Sequence, residues 1–219
     1  MDHEDIRQRF AALTTAHLAD ACIRAQTPVR CAPALLHAVV PGSRLAGRVI
    51  PARHAGSVDI FLEALQEAAP GDVLVVDNAG RLDESCVGDL VVLEAHAAGL
   101  DGIVIWGLHR DTSDIRAIGL PVISLGAIPT GPQRLDLRPD GALERATVGD
   151  WTVDREIWSW PMTMGCFSFH WLPQRMSSRS QTRSATLKGV KPNSCAEESP
   201  CATRFSLILT LLSAKKHLP

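Results

Sequence analysis

No stretch of the 219-residue chain approaches eighteen uninterrupted apolar residues, and the densest run, Phe205 to Ala214, is too short to span a bilayer. A membrane-embedded protein is therefore not expected. Asp2, Glu4 and Asp5 precede any apolar stretch, which argues against a secretory signal at this end. The six cysteines (22, 31, 86, 166, 195 and 201) lack metal-ligand spacing, so neither a structural zinc nor a disulfide framework is expected. Reduced thiols in a cytoplasm fit this pattern. No internal repeat is visible. With 46% hydrophobic and 21% charged residues and a net charge of −2, the composition excludes disorder throughout, collagen and a coiled coil. What remains is one soluble globular domain with a tail.

Two further absences divide the chain. Lysine is missing from residues 1–150, which hold 13 arginines against 20 acidic residues, and aspartate is missing after Asp154. Residues 151–219 instead carry 9 basic and 4 acidic residues, four of the five tryptophans and ten of the fifteen serines. The basic charges of that tail are scattered rather than clustered, so a nucleic-acid arm is not expected.

What is present in the first 150 residues alternates strand and helix. Ile6, Phe10, Leu13, His17 and Ala21 recur at helical spacing, which predicts an amphipathic helix over Asp5 to Arg24, with a break allowed near Thr14. Leu45 to Ala52 reads as a strand, and Ser57 offers an N-cap for a helix through Ile60, Leu62, Leu65 and Ala68 that Pro70-Gly71 stops. Val73 to Val76 is a continuous apolar run suited to burial on both faces of a sheet, and it delivers Asp77, Asn78 and Gly80 to a loop. After Gly88 a helix through Val92, Leu93, Ala95 and Ala97 ends at Gly99. Gly102 to Trp106 is the next strand, Thr112 to Ile118 a short helix closed by Gly119, and Pro121 to Ser124 a strand before a Gly/Pro-rich loop over Gly126 to Pro132. The class is α/β.

Chemistry concentrates around Asp89, Arg110 and Asp111. Twenty residues separate the first two, so a helix start and a strand end would present polar groups to one cleft. The N–H groups of Gly88, Asp89, Leu90 and Val91 at a helix N-terminus favour a carboxylate, and Arg110 could add a bidentate fork to it. Asp111 is a hard oxygen ligand suited to Mg²⁺ or Mn²⁺. Taken alone, an Asp beside an Arg is ordinarily a surface ion pair worth ~0–1 kcal/mol. His109 is a candidate acid or base weighed against a surface or packing role. Asp77 and Asn78 are candidates for the cleft lining or for a turn. Cys86 reads as a small buried residue, and His54 carries no signal.

Pro70-Gly71-Asp72-Val73-Leu74-Val75-Val76-Asp77, then Gly88-Asp89-Leu90, then Arg110-Asp111, then Gly119-Leu120-Pro121-Val122 together resemble the RraA-like family, the regulators of ribonuclease E activity that include 4-hydroxy-4-methyl-2-oxoglutarate aldolases. Leu45-Ala46-Gly47 looks like that family's first strand, and the resemblance covers roughly residues 10–155. Trp106 stands where many members carry an aspartate. The resemblance implies a swivelling β/β/α-type sandwich, assembled as a homotrimer or homohexamer with sites near subunit contacts. It also implies a divalent-metal-dependent lyase of the class II pyruvate aldolase type, acting on a small 2-oxo acid, with oxaloacetate decarboxylase activity. In that reading Asp111 with waters holds the cation, Arg110 and the Gly88 to Val91 amides anchor the pyruvoyl end, and Asp89 orients a coordinated water that shuttles the proton. The alternative is a non-enzymatic regulator that binds a ribonuclease or helicase, or an inactive product of a frameshifted gene.

The third possibility comes from the tail. Family members continue with a strand resembling Val-Val-Ala-Asp-Asp-Asp-Gly-Val-Leu-Phe-Val, whereas this chain reads Trp158-Ser159-Trp160-Pro161-Met162-Thr163-Met164-Gly165-Cys166-Phe167-Ser168-Phe169. Trp and Met have one codon each, and with Ser as TCN the DNA becomes TGG TCN TGG CCN ATG ACN ATG GGN TGY TTY TCN TTY. Dropping its first two bases forces Val, Ala, Asp and Gly at alternate places and permits the rest of the family strand. Residues 1–156 are accordingly expected as a C-terminally incomplete domain and 157–219 as an out-of-frame, poorly ordered tail. Sequencing the DNA around codons 154–158 is expected to show a lost or gained base; an uninterrupted, correctly read frame there refutes the idea.

Overall fold

The computed structural model describes residues 13–26, 28–132, 135–155, 157–162 and 166–171, the last two spans as backbone strands. Helix α1 is Thr15–Arg24, capped by Thr14, whose hydroxyl accepts from the His17 N–H while His17 Nδ1 accepts from the Thr14 N–H. Thr14 thus starts the described helix, and the predicted turns before it lie outside the described residues. The two-residue strand β1, His37–Ala38, follows. Three strand–helix units come next: β2 (Gly47–Arg53) with α2 (Asp59–Gln66), β3 (Val73–Asp77) with β4 (Ser85–Val87) and α3 (Asp89–Ala97), and β5 (Gly102–Trp106) with β6 (Leu108–His109) and α4 (Thr112–Ile118). Strand β7 is Val122–Ser124, and β8 (Arg145–Val148) and β9 (Trp151–Asp154) form a hairpin.

The main sheet runs β1-β7-β5-β3-β2-β10-β11, where β10 is Ile157–Met162 and β11 is Cys166–Trp171. Strands β2, β3, β5 and β7 are mutually parallel, with β3 at their centre beside β2 and β5. β1 joins antiparallel at one edge. At the other, β10 pairs antiparallel with β2, Trp158 opposite Arg48, and with β11. The expected domain end near residue 156 therefore precedes a hairpin that extends the sheet, and residues 172–219 lie outside the described residues.

Side-chain alternation sorts the strands onto two covered faces. Leu74 and Val76 join Ile50, Ile103 and Ile105 against Ile60, Phe61 and Ala64 of α2, Val91, Val92 and Ala95 of α3, and Ile115 of α4. Val73 and Val75 point the other way, with Val49, Val104 and Ile123, against Ala146, Val148 and Val153 of the β8–β9 hairpin and against Leu36 and Leu45. Helices cover one face and a β layer the other, which is the α/β sandwich anticipated.

Several boundaries differ from expectation for identifiable reasons. Strand β2 begins at Gly47, a position that must be glycine because a β-carbon there would stand 2.1 Å from the Gly71 carbonyl oxygen. Leu45 instead packs in the second core. β7 starts one residue late because Pro121 has no N–H, although its carbonyl accepts from Ile103. Helix α2 begins at Asp59, one residue beyond the predicted entry, yet the Ser57 hydroxyl still accepts from the Asp59 N–H at 3.2 Å.

Phe61 is fully buried and stacks on His54 with ring centroids 5.4 Å apart. Phe61→Ala should cost about 3–5 kcal/mol, while Leu62→Ala, next to it but exposed, should stay within about 0.5 kcal/mol; urea unfolding of the two variants checks the difference.

Candidate functional site

Two carboxylates bracket β3 and set where its ends point. Asp72, fully buried, accepts both Arg48 Nε at 3.2 Å and Nη2 at 2.7 Å, and also the Ala69 N–H. Asp77 accepts the Ala79 N–H at 2.9 Å, which fixes the turn after β3, and the Thr147 N–H of β8, also at 2.9 Å. Its other neighbour is Arg53, 3.4 Å away. Asp77 thus takes the turn role. Asn78 is buried with its Oδ1 3.0 Å from His54 Nδ1, which gives the previously silent His54 a structural partner.

The polar cleft lies instead where the short parallel strands β4 and β6 end. They pair through Ser85 with Leu108 and Val87 with His109, and the Arg110 N–H donates to the Val87 carbonyl at 3.0 Å. This bond draws the Arg110-Asp111 segment beside Gly88, the residue that caps α3. A β-carbon on Gly88 would meet Asp111 Oδ2 at 2.6 Å and Arg110 Nε at 3.1 Å. Gly88 is therefore needed for space. Its backbone is extended, with φ −125° and ψ −170°.

Of the residues expected here, Gly88, Arg110 and Asp111 converge, and Asp89 follows as the half-buried first residue of α3. The Leu90 side chain is exposed and the Val91 side chain enters the core, so these two can offer a bound anion their backbone amides only. Arg110 Nε lies 3.3 Å from Asp111 Oδ2, and both side chains retain solvent access, 44% and 35%. Asp111 itself adopts φ 58°, ψ 43°, a left-handed conformation uncommon for a residue with a β-carbon. Its side chain makes no bond to the first turn of α4, the usual service of an aspartate before a helix.

His109 turns out to be a buried strand residue. Burial pushes its imidazole below the usual histidine range; the Gly126 backbone bond and the Asp111 charge oppose that shift, and the Arg116 charge adds to it. Cys86 is buried, with its Sγ 3.7 Å from the Leu108 carbonyl oxygen. Trp106 places its indole against Gly80, where a β-carbon would lie 3.0 Å from the ring.

Three residues near the cleft had no signal in the sequence. Gly131, on the Gly/Pro-rich loop, approaches the far end of Arg110, so that a β-carbon there would stand 2.9 Å from Nη1. Ser85 secures that loop by donating its N–H and hydroxyl to the Thr130 carbonyl. Glu84, fully buried before β4, pairs with Arg81 at 3.3 Å. Only the unpredicted strand β4 brings Glu84 and Ser85 inside.

Comparison with known proteins agrees with this arrangement. A family model described as RraA-like, Aldolase/RraA, matches residues 15–154. A protein of Alcanivorax borkumensis named "Putative 4-hydroxy-4-methyl-2-oxoglutarate aldolase" is 35% identical over 74 residues, 34% of this chain and 46% of that protein. The chain thus matches under half the length of that relative. Among solved structures, the RNA-processing inhibitor RraA from Thermus thermophilis superposes with a TM-score of 0.62 at 22% identity, covering 74% of this chain and 95% of that one. Streptomyces coelicolor RraAS2, described as an unusual member of the RNase ES inhibitor RraA protein family, gives 0.65 at 22% identity, covering 75% and 83%. These two likenesses concern the fold. The family match takes in every strand of the parallel sheet and the whole Gly88–Arg110–Asp111 cleft, and the chain belongs to the Aldolase/RraA family.

Proposed function

We propose that this protein is a divalent-metal-dependent lyase of the class II pyruvate aldolase type. It would cleave 4-hydroxy-4-methyl-2-oxoglutarate-type 2-oxo acids and decarboxylate oxaloacetate at the same site. The observation that carries the reading is the convergence of Arg110 and Asp111 on Gly88 at the N-terminus of α3. The 35% identity to a protein named as an aldolase supports the same class.

Arg110 is open enough to take a substrate carboxylate in a bidentate fork, and the first amides of α3 favour the same charge. Asp111 offers one hard oxygen donor set. Among the described residues no group of three His, Cys, Asp or Glu forms a closed metal cage, so one carboxylate completed by water and substrate oxygens is the arrangement available, a pattern that suits Mg²⁺ or Mn²⁺. When bound, the cation would polarise the 2-oxo group and offset the negative charge that develops as the carbon–carbon bond breaks. Arg110 holds the pyruvoyl end in register for that cleavage. Asp89, through a water, takes the proton of the 4-hydroxyl group and returns it to the methylene carbon that leaves as the methyl group of pyruvate. Loss of carbon dioxide from oxaloacetate leaves the same three-carbon carbanion to be protonated. A trimeric or hexameric assembly belongs with this reading, and the exposed Leu90 and Leu93 on α3 supply apolar surface beside the cleft.

Pyruvate release from oxaloacetate and from 4-hydroxy-4-methyl-2-oxoglutarate tests the proposal, with the present chain and a frame-restored one compared. Mg²⁺-dependent release that a chelator abolishes is expected from the restored chain. Silence from both, if both are folded by circular dichroism, favours the non-enzymatic regulator. In the active chain Asp111→Ala should abolish metal-dependent turnover without unfolding the protein. Arg110→Lys, which keeps the charge but loses the planar fork, should raise KM at least tenfold, as expected from the ~1.5–3 kcal/mol of a charged hydrogen bond.

A further inference from the structure

His109 is bonded at every polar atom it possesses. Its N–H donates to the Gly126 carbonyl at 3.0 Å, and its carbonyl accepts from the Ile128 N–H at 3.0 Å. Its ring spans two elements: Nδ1 lies 2.7 Å from Ser124 Oγ on β7, and Nε2 lies 2.9 Å from Thr112 Oγ1 at the first position of α4. Ser124 is anchored in turn by Gly126, whose N–H it accepts at 3.3 Å. Hydroxyl groups both donate and accept, so the pair of partners satisfies a buried imidazole on both sides.

The bond from residue 109 to residue 112 bridges the two residues that face the cleft. Within that bridge Asp111 is left-handed, a conformation that residues with a β-carbon seldom adopt. An aspartate at this position would ordinarily turn its carboxylate onto the helix it precedes. Here it makes no such bond, and Oδ2 faces Arg110 and Gly88 instead. Something must hold the chain against the commoner arrangement: the Arg110 N–H bond to the Val87 carbonyl pins the residue before Asp111, and the Ser124–His109–Thr112 bridge ties together the residues on either side of it.

We propose that His109 is a positioning residue: by tying Thr112 to Ser124 it keeps Asp111 left-handed and aims its carboxylate into the cleft. This rests on the lyase reading insofar as Asp111 is taken as the cation ligand. The group that meets the cation is Asp111; His109 acts through the backbone that carries it.

Mn²⁺ binding to the full-length protein, followed through the paramagnetic resonance signal of the free ion, tests this without any turnover. Thr112→Val removes the hydroxyl at nearly constant volume, Thr112→Ser retains it, Ser124→Ala cuts the far end of the bridge, and Asp111→Ala removes the ligand. Thr112→Val and Ser124→Ala are expected to weaken binding about ten- to hundredfold, the usual effect of losing a group that orients a metal ligand. Thr112→Ser is expected to match the wild type, and circular dichroism to be unchanged throughout. Should Thr112→Val fail to fold, Ser124→Ala carries the test. Wild-type Mn²⁺ affinity in the bridge variants, with binding lost in Asp111→Ala, overturns the positioning role and leaves the site intact. Equal weakening in Thr112→Ser and Thr112→Val also overturns it, because the hydroxyl would then not be what matters. Failure of both the present chain and its frame-restored version to bind, or undiminished binding by Asp111→Ala, overturns the lyase reading and this inference with it.

Discussion

Val73, Leu74, Val75 and Val76 have no solvent-exposed surface, and this complete burial of β3 is the condition on which the rest of the structure depends. A strand apolar on both faces must be covered twice. Helices α2, α3 and α4 supply one cover and the β8–β9 hairpin the other, each meeting alternate residues of the same strand. The two ends of β3 cannot enter either core, because they carry charge. Asp72 and Asp77 therefore stand at its borders, each satisfied by arginine and by backbone N–H groups. Their hydrogen bonds explain how carboxylates this deeply buried are tolerated.

With β2, β3, β5 and β7 parallel, the segments leaving their C-terminal ends gather on one side, where ligands bind in open α/β sheets. The cleft uses a subsidiary pair there, β4 and β6, to bring the start of α3 against the Arg110-Asp111 segment. Close approach of Gly88 and Gly131 to the guanidinium leaves Arg110 flanked by backbone on two sides while still open to water. The neighbouring Asp111 carries its carboxylate on a left-handed backbone, and strain of this kind persists where surrounding bonds over-determine it. The hydroxyl–imidazole–hydroxyl bridge through His109 and the Arg110 N–H bond to the Val87 carbonyl surround it on both sides.

Much of the frame was legible in the sequence because each signal was local. The apolar run of β3, the helical spacing of α2 and α3, and the stops at Pro70-Gly71 and Gly99 depend on neighbours within a few residues. Gly88, Arg110 and Asp111 were also found, and the cleft unites them. The short strands β4, β6, β8 and β9 escaped notice. Two to four residues carry too little periodicity to register, and β4 and β6 also depend on partners about twenty residues apart. His109 was left between a chemical and a surface or packing role for a related reason, since its burial beside Ser124 involves a partner fifteen residues further on.

By itself the sequence determined the α/β alternation, the doubly buried central strand and the residue types at the cleft, since these follow from side-chain polarity and from the backbone freedom of glycine and proline. Only the tertiary structure decided which polar groups serve as scaffold and which remain open to solvent. Asp72, Asp77 and Asp111 are chemically alike; the first two are enclosed by donors from distant segments, and the third, with Arg110, keeps solvent access. That distinction is set by burial and by long-range hydrogen bonds, which no local pattern of residues encodes.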